Sequence, residues 1–402
     1  MYIIRSKNGI AKWMYIIIII ILITIIGTGL YTFSNSSNTK TPTTSSTTTS
    51  STQITFTQSV TIKAGGATFI NPQMQKWIVD FKDKYPSISI SYDSVGSGTG
   101  VSRFLQEVYD IGASDVPLPT EQWNQAVQKY HAIITIPDIV GAVGIIYNIP
   151  GFNPSINGPL NMTADILAQI YTGKIQYWDD PQIVAINPGF KFPHEKIIAV
   201  HRSDGSGTTF VFTLYLQKAA KDKWSIGSGF TVQWPVDQLG NGLGGKGSEG
   251  VTAYVGQNPY SIGYVEYQYA VLSKLQTAQL KNHDGYFVAL TKDSIQSALK
   301  NVDLSKMPKA TDDWSNVSSI LLDLPGKNSY PIVSFSYLII RKDYQDINKA
   351  IAIYLFLKHI LTDQQILEGY LPLPSNIVDY VMNNELTQIT ANGQPVYTLI
   401  SK

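Results

Sequence analysis

The residues with the clearest capacity for chemistry lie together at 201–209, HRSDGSGTT. They follow a β-type run at 196–200 and precede residues 210–216, which read as a buried helix. A strand that feeds a Gly/Ser/Thr turn and then a helix aims several unpaired backbone N–H groups at one spot, and the helix dipole favours an anion there. Ser206 and Thr208 add hydroxyl donors, while Gly205 and Gly207 let the backbone approach a ligand. Arg202 supplies a planar, permanently charged fork suited to a tetrahedral oxyanion. Asp204, two residues on, can hold that fork in place. The plainer alternative is a capped helix beside a surface Arg–Asp pair.

Two similar turns tip the balance. A strand at 60–64 runs into Gly65-Gly66-Ala67-Thr68-Phe69, and a second strand at 88–92 leads to Gly96-Ser97-Gly98-Thr99-Gly100. The short apolar run 109–113 ends in Ser114-Asp115. Alone, Asp115 reads as an Asx-type cap after a strand. A carboxylate among anion-binding donors should repel the anion, unless the ligand brings a proton to donate. Protonated phosphate does so and fully ionised sulfate does not.

Other chemistries find less support. No G-x-S-x-G elbow is present, because Val95 and Asp204 stand two residues before Ser97 and Ser206. The five histidines are scattered and show no metal-ligand spacing, and there is no cysteine. Residues 240–250 (GNGLGGKGSEG) nearly match a P-loop, but Gly247 stands where Ser or Thr is needed and no apolar strand precedes the stretch. His201 reads as a half-buried strand-end residue rather than a general base. The expectation is a binding protein without a catalytic residue, metal or cofactor. A phosphatase is the distant alternative.

The elements around these turns alternate strand and helix. Helices are expected at 73–85, 101–108, 163–171 and 347–360, and strands at 133–147 and 332–340. Residues 273–330 look irregular and polar. Such alternation predicts parallel α/β sheets with the ligand at the carboxyl ends of the strands. With 402 residues, the chain suits two lobes: lobe I at 59–147 and 338–402, lobe II at 148–337.

A net charge of +1 gives no field that would gather nucleic acid. Near the N-terminus, Arg5, Lys7 and Lys12 precede an apolar run at 14–33, long enough to span roughly 30 Å of hydrocarbon. Residues 1–33 are therefore read as a basic N-terminus and membrane anchor, with the remainder exported; a cleaved and secreted form is the alternative. Residues 34–58 are a Ser/Thr-rich linker with a reach of roughly 25–30 Å. Sequons occur at Asn35, Asn161 and Asn316.

In order along the chain, AGGATF (64–69), GSGTG (96–100), DIGASDVPL (110–118), YNIPG (147–151), TGKIQYWDDP (172–181), RSDGSGTTFVFTLYL (202–216), GLGGKGSEG (242–250), IGYVEYQYA (262–270) and YLPLPSNIVDYV (370–381) resemble the phosphate-specific substrate-binding proteins of ABC transporters. The resemblance covers nearly everything from about residue 60 to 380. It implies an α/β, two-lobed, type II periplasmic-binding-protein clamshell with the ligand in the hinge cleft. By motif, Thr68, Phe69 (through its backbone N–H), Ser97, Asp115, Arg202, Ser206, Gly207 and Thr208 would contact phosphate, and Asp204 would orient Arg202. The implied partners are inorganic phosphate and the permease subunits of an ABC transporter, and the protein is read as a monomer. The alternative ligand is another tetrahedral oxyanion: arsenate, sulfate or molybdate. Gly98-Thr99, Ile70 and the apparent insertion 237–241 depart from the family pattern.

Overall fold

The computed structural model describes residue 56 and residues 58–400 apart from residue 364. Residues 54–402 form one compact unit. The anchor expected at 14–33 and nearly all of the linker lie outside the described residues. Among those described, no helix is long and apolar enough to cross a membrane.

The chain opens with β1 (Val60–Gly66), α1 (Asn71–Lys84), β2 (Ile88–Ser94), α2 (Ser97–Leu105) and β3 (Ile111–Ser114). Proline opens α1, and Met74, Trp77 and Phe81 fall on one buried face at helical spacing. The helix packs against β2, and β1 pairs in parallel with both β2 and β3.

The long strand β4 (Ile133–Asn148, 16 residues) comes next and is buried almost throughout. Then follow α3 (Ala164–Tyr171), β5 (Ile198–Arg202), α4 (Gly207–Ala219), β6 (Gly242–Gly245), α5 (Gly247–Gln257) and β7 (Ser261–Glu266). The return strand β8 (Val333–Arg341) and the helix α6 (Ile347–Thr362) come last among the elements that matter here.

These strands join in a nine-stranded sheet of order β2-β1-β3-β8-β4-β7-β5-β6, with the short strand Gln276–Thr277 also on β4. β4 holds it together. Its Ile133–Ala142 portion pairs with β8, and its Val143–Asn148 portion pairs with β7. One strand thus belongs to two half-sheets. Both of these pairings are antiparallel, so the all-parallel expectation is corrected. β4 and β8 carry the chain between the half-sheets in opposite directions, without helical crossovers. The β4–β8 register slips between Ser336 and Tyr337, opposite the segment that holds Pro137. Proline has no N–H for the ladder, and a bulge accommodates it.

The segment 273–330 is more regular than its polarity predicts. It contains the helix Lys292–Leu299, capped reciprocally by Thr291 and Ser294, with Ile295 and Ala298 buried. Trp314 is buried as well. Its apolar residues are widely spaced, so local periodicity is faint.

Candidate anion-binding site

Four strand-to-helix turns meet at the carboxyl ends of the strands. β1 leads through Thr68 and Phe69 to α1, β2 through Gly96 to α2, β5 through residues 203–206 to α4, and β6 through Lys246 to α5. Each helix begins with N–H groups that lack an intrahelical partner. α4 starts at Gly207, three residues earlier than expected from sequence, because Ser206 caps it: Oγ accepts from Thr209 N at 3.0 Å. Gly207 and Thr208 therefore lie in the first helical turn.

Arg202, at the end of β5, is held by Asp204 in a two-point clasp. Nε donates to Oδ1 at 2.8 Å and Nη2 to Oδ2 at 2.6 Å. The Arg202 side chain is 2% exposed and that of Asp204 13%. Gly247 N also donates to Asp204 Oδ1 at 2.9 Å. Burial opposes ionisation of Asp204, yet the bonds and charge of Arg202 hold its carboxyl below the ordinary range. Arg202 Nη1 remains for the site, reaching Thr208 Oγ1 at 3.2 Å and Ser248 Oγ at 3.4 Å.

Asp115 lies just beyond β3, with its backbone N donating to Ser97 Oγ at 3.3 Å. Its Oδ2 accepts from Thr208 Oγ1 at 3.1 Å, which joins the two half-sheets. Two further bonds cross the same boundary: Gly98 N donates to Gly205 O at 2.9 Å, and Thr68 Oγ1 meets Ser248 Oγ at 2.8 Å. A Cβ on Gly207 would stand 2.5 Å from Ser97 Oγ and 2.8 Å from Asp115 Cβ, so only glycine permits this approach. Gly96, at φ 87°, likewise faces Asp204 and Gly205 O. Phe69 turns its ring into the core beside Tyr370, whose hydroxyl donates to Phe69 O.

All nine residues singled out from sequence are thus gathered around one small volume. Sequence reasoning missed Ser248 and Glu266. Glu266 ends β7, is 1% exposed, and its Oε1 lies in hydrogen-bond contact with Thr208 Oγ1. Burial, and then the charge of Glu266, push the Asp115 carboxyl up to about 8. Burial also pushes the Glu266 carboxyl up. The available signal was a lone acid inside the apolar run 261–266. The P-loop-like stretch itself contains a strand, the glycine-rich β6 on the sheet edge, and its Lys246 is exposed while Ser248 turns inward. His201 is buried rather than half-buried. It bonds Asp237 through Nε2 at 2.8 Å and stacks on Trp234 at 5.0 Å.

Strand-end helix dipoles, a clasped arginine and buried hydroxyls between two half-sheets define a solute-binding protein of the periplasmic-binding-protein type. The PBP superfamily domain profile matches residues 38–363. The chain is 40% identical over 337 residues to the phosphate-binding protein PstS of Methanocaldococcus jannaschii, covering 81% of this chain and 85% of that protein. It is 34% identical to PstS of Haemophilus influenzae, covering 84% of this chain and 96% of that protein. Among solved structures it resembles a high-affinity periplasmic phosphate-binding protein, PfluDING, bound with phosphate. There the TM-score is 0.62 at 20% identity, covering 80% of this chain and 93% of that one. The chain belongs to the PBP superfamily and, within it, to the PstS family of phosphate-binding proteins.

Proposed function

We infer that the protein binds inorganic phosphate outside the cytoplasm and delivers it to the permease subunits of an ABC transporter for import. It is a receptor and not an enzyme. The observation that carries the reading is the buried Arg202–Asp204 clasp beside Asp115 and Thr208, at the meeting of four helix N-termini. Such a site offers charge, fixed donors and one acceptor to a tetrahedral anion.

In this reading Thr68, Phe69, Ser97, Asp115, Arg202, Ser206, Gly207 and Thr208 contact phosphate, Phe69 through its backbone N–H, and Asp204 orients Arg202. The chain folds as lobe I, 59–147 with 338–402, and lobe II, 148–337. Support for two lobes comes from strand pairing, which changes half-sheet between Ala142 and Val143 and again at Val333, in each case shortly before the lobe boundary. The protein acts as a monomer, tethered to the outer face of the membrane by residues 14–33 and the linker 34–58. The basic, apolar and Ser/Thr-rich order of that sequence supports the tether.

Calorimetric titration of the full chain with phosphate tests the reading. The expected result is saturable binding at one site per chain. No binding of phosphate would contradict it.

A further inference from the structure

Thr208 Oγ1 has more partners than an ordinary hydroxyl between carboxylates can satisfy. Arg202 Nη1 donates to it at 3.2 Å, and it lies in hydrogen-bond contact with both Asp115 Oδ2 and Glu266 Oε1. A hydroxyl has one hydrogen and two lone pairs, and a guanidinium can only donate. Once Arg202 takes one lone pair, a single hydrogen and a single lone pair remain for two carboxyl groups. Two ionised carboxylates would compete for that hydrogen. If one of them carries a proton, both contacts become ordinary hydrogen bonds.

We propose that Glu266 is the carboxyl that keeps its proton. It donates that proton to Thr208 Oγ1, turns the Thr208 hydrogen towards Asp115, and leaves Asp115 ionised to accept from a phosphate hydroxyl. The proposal rests on the phosphate reading of the site. Glu266 is a positioning residue, because it acts through Thr208. Asp115 Oδ1 has no hydrogen-bond partner among the described residues and is the oxygen left to receive the ligand's proton. Burial of both acids supports a shared proton at neutral pH. The arrangement also ties the proton to closure. Asp115 follows β3 in one half-sheet, while Thr208 and Glu266 belong to elements of the other.

The charged and titratable groups facing Glu266 are Asp115, Arg202, Tyr269 and Tyr370. Behind them, Asp204 clasps Arg202 and Glu249 accepts from Tyr269. Burial pushes both tyrosines well above their usual range, so they stay neutral through mildly alkaline pH. Asp204 is held low by Arg202 and stays ionised. The Asp115–Glu266 pair is therefore the element of this group that titrates. Its ionisation adds a negative charge beside the anion and removes the donor to Thr208.

Two measurements on the full chain test this. The first is the phosphate dissociation constant from about pH 8 to about pH 9.5, where dissolved phosphate stays the dianion. Wild-type affinity should fall about tenfold or more across that range, and Glu266→Gln, whose amide cannot ionise, should show a much flatter profile. A flat wild-type profile, or parallel profiles, would overturn the proposal. The second is the infrared difference spectrum of wild type against Glu266→Gln near neutral pH, where a protonated-carboxyl C=O band should be present in wild type only. Absence of that band would also overturn it. If Glu266→Gln does not fold, the wild-type pH profile alone decides. If wild type binds no phosphate at any pH, the phosphate reading fails instead, and the infrared band still reports the state of Glu266.

Discussion

Among the described residues Arg202 provides the only full positive charge bonded within the anion site, and two of the Arg202 donors are spent on Asp204, which orients it. Arg202→Ala would remove the counter-charge and strand Asp204 in a low-dielectric pocket. Losing one partner of a buried pair costs on the order of 3–5 kcal/mol, or roughly two to nearly four decades of phosphate affinity. Arg202→Lys should recover only part of that loss, since an ammonium cannot make the planar two-point contact. Titration of both variants checks this, and an affinity within about threefold of wild type for Arg202→Ala would show that another group carries the charge.

The two acids also set the pH dependence of the unliganded protein. Burial, and then the repulsion between the two carboxyls, raises the proton affinity of the pair, from 3.8 for a free Asp115 up to about 8 for the coupled pair in the fold. Between those values the folded pair retains a proton that the unfolded chain releases. Stability from this source is thus complete below about pH 4 and lost as pH rises towards 8, at a slope of up to about 1.4 kcal/mol per pH unit. Denaturant melts at about pH 5 and about pH 8 should show the lower stability at the higher pH. Glu266→Gln should flatten that difference; an unchanged slope would locate the proton elsewhere.

At the scale of elements, the site depends on how closely α4 approaches the first half-sheet. A methyl group on Gly207 would collide with Ser97 and Asp115 across the boundary. Gly207→Ala should therefore hold the two halves apart, costing on the order of 1–3 kcal/mol of closure and weakening phosphate binding roughly 5–150-fold. The melting temperature without ligand should barely change. Wild-type affinity in this variant would mean that closure does not need that contact.

The same elements show what sequence made legible. The turn 201–209 could be read in isolation because its arginine, acid, hydroxyls and glycines are contiguous. The turns at 65–69 and 96–100 repeated its grammar. Glu266 could not be read in this way. It meets Thr208 from 58 residues away, inside a buried strand where a carboxylate looks out of place. Ser248 was masked by a turn weighed only as a nucleotide loop. The double membership of β4 was equally hidden, because a 16-residue apolar strand looks the same whether it has one set of partners or two.

For the whole molecule, β4 and β8 are the strands that pass between the half-sheets, so bending there is the motion the topology allows. Bonds such as Asp115–Thr208 and Thr68–Ser248 form only when the halves meet. Phosphate should therefore compact the protein and stabilise it by about 2.7 kcal/mol at about 100 times its dissociation constant. Solution scattering and thermal melting read both effects, and neither should move if the two halves are rigidly fixed.

The central claim is that the site recognises phosphate through its proton as well as its charge. Competition of sulfate and arsenate against labelled phosphate at neutral pH tests it most directly. Sulfate gives Asp115 no hydrogen to accept and places two negative groups together in a closed cleft. Sites that pair with a specific ligand proton reject the analogue lacking it by roughly 10⁴-fold or more. Arsenate, protonated like phosphate, should compete, and sulfate should not. Asp115→Asn removes the repulsion and offers an amide donor, so its preference for phosphate over sulfate should narrow. Sulfate displacing phosphate from wild type at comparable concentration would contradict the account.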